Sequence, residues 1–290
     1  MLVLRIIVGL GLAYALLVLL AWRFQERLAF PAPRATVPDP RQMGVQDAER
    51  VELVSGDGTK LVGWYLRPKV VEGATSTNVH HPPQPPQTSR ASRGLLWFYG
   101  NGENVAAIWP IVREFQPPGA AVLVVDYPGY GGSEGRTTEA GLYAAADAAY
   151  AALVARRDVD PRRIYVYGRS LGSAVASHTA AHHPTAGLIL ESPFTSARAM
   201  ARHLYALVPS FVLTLRLDNI ANVRRVHCPT LILLGDADRL VPPDMGLAVA
   251  AAAAGPVEVV VIHGAGHNDT YDVGGTEYRK KLWRFVGQSD

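Results

Sequence analysis

The sequence predicts an α/β fold, a mostly parallel sheet covered by helices on both faces. Three observations carry that expectation. From Gly94 onward short apolar runs alternate with longer alanine-rich segments, which is the strand, helix, strand pattern of a parallel sheet. The runs, such as AAVLVVD ending at Asp126 and PTLILLGD ending at Asp236, are almost continuously apolar, as strands buried on both faces must be. A chain of 290 residues with 49% hydrophobic and 18% charged side chains is also long enough for one large core.

The N-terminus stands apart from this pattern. Ile6 to Trp22 is an uninterrupted apolar run between Arg5 and Arg23, about 25 Å long as a helix at ~1.5 Å per residue, close to the thickness of a bilayer core. Ala13 and Ala15 lie inside continuing hydrophobicity, where a cleaved signal peptide would have ended. Residues 1–24 are therefore expected to be a single-pass membrane anchor. Arg23, Arg27, Arg34 and Arg41 follow the run and only Arg5 precedes it, a bias that places the following domain on the cytoplasmic side. The Pro-rich stretch FPAPRATVPDP marks residues 25–49 as a linker, and the catalytic domain is expected over 50–290.

Within that domain, RVELVSGDGTKLVGWYLRP reads as an antiparallel hairpin turning at Gly56-Asp57-Gly58. Residues 72–93, poor in apolar side chains and with four prolines between Pro82 and Pro86, read as a disordered loop insertion. His80 and His81 there lack the Cys or carboxylate company of a metal site. Six strands are then expected, ending at Tyr99, Asp126, Gly168, Ser192, Asp236 and His263. Helices are expected over about 104–115, 138–156, 171–182, 244–254 and 275–286, with a short lid over 195–227. In the lid, Met200, Leu204, Leu207, Val208, Phe211, Val212 and Leu215 recur near helical spacing, as core packing or as an apolar acyl pocket or membrane-facing surface.

The net charge of +3 is too small and dispersed for a nucleic-acid partner, and a single cysteine, Cys228, precludes an intramolecular disulfide. No cofactor and no metal are expected.

Chemistry is expected beyond the carboxyl ends of the parallel strands. Ser170, in Gly168-Arg-Ser-Leu-Gly172, directly follows one strand and opens an alanine-rich helix, the context of a nucleophile elbow. A serine hydroxyl attacks poorly alone and needs a histidine base oriented by an acid. LILLGDADRLVPP offers Asp236 and Asp238; Asp238 lies further out on its loop, whereas Asp236 is placed to brace the turn. VVVIHGAGHND offers His263, still at the strand end, and His267, on the Gly-Ala-Gly loop that can reach Ser170. Ser170, Asp238 and His267 are thus the expected catalytic residues, in the chain order this fold requires. Two backbone amides should hold the developing oxyanion, one from Leu171 at the helix start and one from Asn101 in the Gly100-Asn101-Gly102 loop.

YGNGEN, VDYPGYGGSEG, YGRSLGSAVA, LESPFTS, LGDADRLVP and GAGHND, with FQERLAFPAP after the anchor, stand in the order found in the α/β-hydrolase superfamily. The sequence resembles, over about four-fifths of its length, the membrane-anchored α/β-hydrolase-domain proteins related to serine aminopeptidase-like and depalmitoylase-like hydrolases. The resemblance implies an α/β-hydrolase fold, places Ser170, Asp238 and His267 on the catalytic positions and Asn101 and Leu171 on the oxyanion positions, and allows ester, thioester or peptide substrates. Where that family usually has histidine before Gly-Asn, this chain has Tyr99.

The expected function is hydrolysis of a carboxylic ester or thioester through an acyl-enzyme on a small-molecule or acyl-group substrate. Amide or peptide cleavage is the alternative, followed by a membrane-tethered binding protein without catalysis. A dinucleotide site at Gly100-Asn101-Gly102 is disfavoured because Val105 replaces the small residue that lets the helix approach the strand. Arg169, next to the nucleophile, is read as structural.

Overall fold

The computed structural model describes residues 1–68, 91–205 and 207–287. A long helix, α1 (Leu2–Ala29), leads into a hairpin of β1 (Ala48–Val54) and β2 (Lys60–Leu66). Then follow β3 (Ser92–Phe98), α2 (Val105–Phe115), β4 (Ala120–Val125), α3 (Glu139–Val154), β5 (Val159–Arg169) and α4 (Leu171–His182). After β6 (Gly187–Glu191) come the short helices α5 (Ala197–Leu204) and α6 (Asn219–Val223). The chain closes with β7 (Thr230–Gly235), α7 (Pro243–Ala252), β8 (Val257–Ile262) and α8 (Thr270–Gly287).

The eight strands form one sheet in the order β1-β2-β4-β3-β5-β6-β7-β8. The pairs from β4 to β8 are parallel, and β1 and β2 add an antiparallel edge, so the sheet is mostly parallel as the sequence predicts. Every residue of β4, β6 and β7 is buried, which explains their unbroken apolar runs. Edge strand β8 is the exception, with Val259 and Val261 partly exposed. Side-chain caps fix the helix starts: Asn104 accepts from the amide of Ala107 at 3.0 Å, and Thr138 from that of Gly141 at 2.9 Å.

The structure departs from expectation in three places. The 25–49 stretch, expected as a linker, is held against the domain: Phe30, Val37 and Val45 are buried, and the Trp64 indole donates to the Pro38 carbonyl at 3.2 Å. Proline keeps such chain extended, and an extended chain with an apolar residue every few positions can lie flat on a sheet edge. A helical turn over 270–274 that the sequence does not predict precedes the expected last helix, and Gly275, at φ 45° and ψ −125°, breaks the chain between the two. The expected loop at 72–93 has residues 72–90, including His80 and His81, outside the described residues, while Ser92 and Arg93 already belong to β3.

Helix α1 contains an 18-residue window of mean hydropathy 2.5, none of it buried, and is long and apolar enough to cross a bilayer. Its final turns turn towards the protein. Gln25 is buried and its side-chain oxygen accepts from the amides of Thr214 and Leu215 at 2.8 and 3.3 Å. The lid contains α5, a 3₁₀ turn over Ser210–Val212 and α6, with Ala206 outside the described residues. Its apolar residues divide: Leu215 is buried, whereas Leu204, Leu207 and Phe211 are exposed.

Candidate active site

Loops leaving the carboxyl ends of β3, β5, β7 and β8 converge over the sheet and bring the sequence-predicted residues together. Between β5 and α4, Ser170 adopts φ 52° and ψ −115°, a left-handed strained conformation. Its amide donates to the Glu191 carbonyl at 2.9 Å, and the Ser173 hydroxyl donates to its carbonyl at 2.6 Å. Two glycines make that sharp turn sterically possible. A Cβ on Gly168 would lie 2.1 Å from the Gly172 carbonyl oxygen, and one on Gly172 would lie 2.2 Å from the Phe98 oxygen. Helix and sheet therefore approach closely enough that only hydrogen fits at either position.

The Ser170 hydroxyl lies 3.0 Å from Nε2 of His267, and Nδ1 of His267 lies 2.7 Å from Oδ2 of Asp238. Oδ1 of Asp238 accepts from the amides of Leu240 and Val241 at 2.9 and 2.8 Å. Burial pushes the Asp238 carboxyl up, but hydrogen bonds from His267 and the two amides outweigh burial and hold it below the ordinary aspartate range. An anionic Asp238 can only accept, so His267 carries hydrogen on Nδ1, and the neutral tautomer this selects has its lone pair at Nε2, on the side of the serine. The Ala237 amide donates to the Ala265 carbonyl at 2.9 Å, fastening the Asp238 loop to the His267 loop. Asp236 and His263 form a second, separate pair at 2.8 Å, with the His263 side chain 87% exposed and far from enclosed chemistry. Asp236 also braces the amide of Gly264 at 2.7 Å.

Leu171 is the first residue of α4, where backbone amides have no partner within the helix. Asn101 sits in the turn between β3 and α2, its side chain held by two contacts: Nδ2 donates to the Ala29 carbonyl at 2.7 Å, and Oδ1 accepts from the Tyr130 hydroxyl. Tyr99 fills the place of the expected histidine. Its hydroxyl donates to Asp126 at 3.0 Å and accepts from the Tyr127 amide at 3.1 Å, while the Tyr127 hydroxyl returns to the Tyr99 carbonyl at 2.8 Å. Asp126 is fully buried and also accepts from the amides of Val105 and Gly132 at 2.8 and 3.0 Å. The tyrosine thus ties the Asn101 loop to β4 without an imidazole.

Arg169, read from sequence as merely structural, joins both sides of the site. Its guanidinium donates to Glu103 at 2.8 Å, to the His267 carbonyl at 2.8 Å and to the Asn268 side chain at 3.0 Å, and its Nε lies 3.4 Å from Glu191. Glu103 in turn accepts from the Gly100 amide at 2.7 Å. One buried cation therefore spans the Asn101 loop and the His267 loop. Spacing could not have revealed this, because the partners lie 66 and 98 residues away in the chain. Among the described residues no group of three or more His, Cys, Asp and Glu is arranged to hold a metal ion.

The uncharacterized protein Rv2307c of Mycobacterium tuberculosis is 35% identical over 277 residues, covering 94% of this chain and 90% of that protein. The family profile for the alpha/beta hydrolase fold matches residues 95–228. The chain belongs to the α/β-hydrolase family. Human alpha/beta hydrolase domain-containing protein 17B is 36% identical over 170 residues, 58% of this chain and 56% of that protein. Among solved structures, the Pyrococcus furiosus esterase Pf2001 superposes with a TM-score of 0.66 at 19% identity, covering 89% of this chain and 98% of that one. A puromycin-hydrolyzing peptidase of Mycobacterium tuberculosis superposes with a TM-score of 0.65 at 18% identity, over 83% of this chain and 39% of that one.

In this α/β hydrolase the Arg169 bridge leads to a specific expectation. Arg169→Gln leaves the buried Glu191 without its cation and unties both loops, so stability should fall by ~3 kcal/mol, the scale for breaking one partner out of a buried pair. Turnover should fall about 10- to 100-fold as the His267 loop loosens, because an ångström of misplacement has that scale of effect. Urea unfolding and steady-state kinetics on the same preparation check both, and unchanged kcat in a destabilised variant would confine Arg169 to the fold.

Proposed function

We propose that this α/β hydrolase is a serine hydrolase that cleaves carboxylic esters or thioesters through an acyl-enzyme on Ser170. The observation that carries the reading is the hydrogen-bonded line from Ser170 through His267 to Asp238, set on a strained turn at a helix start. In the first step Oγ of Ser170 attacks the substrate carbonyl carbon while His267 Nε2 takes the hydroxyl proton. Asp238 stays ionised, holds the imidazole in the useful tautomer and stabilises the imidazolium. The amides of Asn101 and Leu171 receive the oxyanion, where each such donor lowers the barrier by ~3 kcal/mol. Collapse of the tetrahedral intermediate breaks the bond to the leaving oxygen or sulfur, which departs with the proton from His267. Water then enters, gives its proton to His267 and releases the acid from Ser170 by the same steps in reverse order.

In this proposal α1 is a single-pass membrane anchor and the domain lies on the cytoplasmic side, supported by the helix's unburied apolar length and the arginines that follow it. The superposition on a solved esterase supports ester chemistry, and the superposition on a solved peptidase keeps amide cleavage as the second reading. Rates across p-nitrophenyl esters of increasing chain length, alongside aminoacyl amides, decide between them. Ester turnover that varies with chain length and exceeds amide turnover is expected; amide cleavage without ester turnover would reverse the order.

A further inference from the structure

Where α1 meets the domain lies a cavity of about 1110 Å³ that includes none of Ser170, Asp238 and His267. Four arginines line it, Arg23 and Arg27 from α1, Arg34 from the extended chain beyond and Arg136 from the loop after β4, against a single acid, Glu26. Trp22, Phe24 and Phe30 supply apolar wall beside them. Its sides are fastened to each other. Arg34 donates to the Gly135 carbonyl at 3.0 Å, the Gly131 amide to the Pro33 carbonyl at 2.9 Å, and Gln25 accepts from Thr214 at 2.8 Å. The side chains of Arg27 and Arg136 make no hydrogen bond or ion pair among the described residues. Two guanidinium groups thus line this space without an ion pair among the described residues, and four arginines share it with one carboxylate, Glu26.

Depth identifies the occupant. Trp22 ends the apolar run, and tryptophan settles at the boundary between hydrocarbon and headgroups. Arg27 lies about 7.5 Å further along the helix at ~1.5 Å per residue, at the outer side of a headgroup layer roughly 5–7.5 Å deep. The cavity therefore opens at the level of lipid phosphates, and guanidinium groups match phosphate oxygens with paired hydrogen bonds. We propose that this cavity binds the headgroup of an anionic phospholipid, its phosphate among the four arginines and its glycerol end against Trp22, Phe24 and Phe30. The inference rests on the reading of α1 as a membrane anchor.

The test uses the full chain in nonionic detergent, with retained lipid counted by native mass spectrometry during titration with phosphatidylglycerol or phosphatidylcholine. Wild type should hold phosphatidylglycerol at least about tenfold more tightly, and the double variant Arg27→Gln, Arg136→Gln should lose that preference while keeping the wild-type thermal unfolding curve. Arg41→Gln, which removes one positive charge outside the cavity, should keep it, and each single cavity variant should keep more of it than the double. Equal retention of the two lipids by wild type, or an undiminished preference in the double variant, would overturn the inference. So would an equal loss in Arg41→Gln, or displacement of the lipid by millimolar inorganic phosphate. Release of the full chain from membranes by alkaline carbonate would overturn the anchor and this inference together. An integral protein with no lipid preference would overturn this inference alone.

Discussion

Ser170→Ala is expected to lower kcat for an ester on the order of 10⁵-fold or more, about 7 kcal/mol of lost transition-state stabilisation. The side chain removed is the one 3.0 Å from His267, and nothing else in that line can attack a carbonyl. Alanine accepts the φ of 52° no less readily than serine, so the thermal midpoint should stay within about 2 °C of wild type. His267→Ala should lose a similar amount, and the double variant little more, because groups that act as one unit do not add. Asp238→Asn should cost about 10⁴-fold: an amide can donate to Nδ1, which turns the wrong imidazole nitrogen towards the serine. Steady-state rates on a short ester, measured with unfolding curves for each variant, check all four. A Ser170→Ala protein that retains turnover would remove the basis of the mechanism.

Gly172→Ala is expected to lower stability by on the order of 3 kcal/mol, the upper range for overpacking, with a fall of about 6–12 °C in Tm for a chain of this size. The added Cβ would meet the Phe98 oxygen at 2.2 Å and the Tyr99 oxygen at 2.7 Å. Both are backbone atoms leading from β3 into the Asn101 loop, so no rotamer change relieves the contact. Helix α4 must back away from the sheet and take the Leu171 amide with it, so kcat should fall together with Tm. Circular dichroism melting and ester turnover read the two effects; a Tm within 1–2 °C of wild type would show that the approach of α4 to β3 is looser than described.

The parallel sheet was legible because its inner strands are buried on both faces, which forces unbroken apolar runs such as LILL of β7. Positions at strand ends likewise separated His267 from His263 and Asp238 from Asp236 as candidates, since a residue still on the strand cannot reach over the sheet. Other features were not legible, for reasons that are equally physical. Arg169 acts through partners far away in sequence, and no local pattern marks a side chain that bridges two loops. Tyr99 seemed a gap where a histidine was expected, and only the fold shows its hydroxyl seated on Asp126. Prolines between residues 30 and 45 suggest a linker, yet prolines alone do not say whether such chain lies free or packs on the domain, and Pro40 opens a 3₁₀ turn there. The helical turn over 270–274 was not legible either, because it is a single short turn set off from the last helix by the non-helical backbone of Gly275.

The role of Ser170 is tested most directly by covalent capture. A fluorophosphonate probe is mixed with the full chain, and the adduct is located by mass spectrometry of proteolytic peptides. One phosphonyl group on Ser170 is expected, absent from Ser170→Ala and formed far more slowly in His267→Ala. A folded wild-type protein that takes up no probe, or takes it up on a different serine, would contradict Ser170 as the nucleophile.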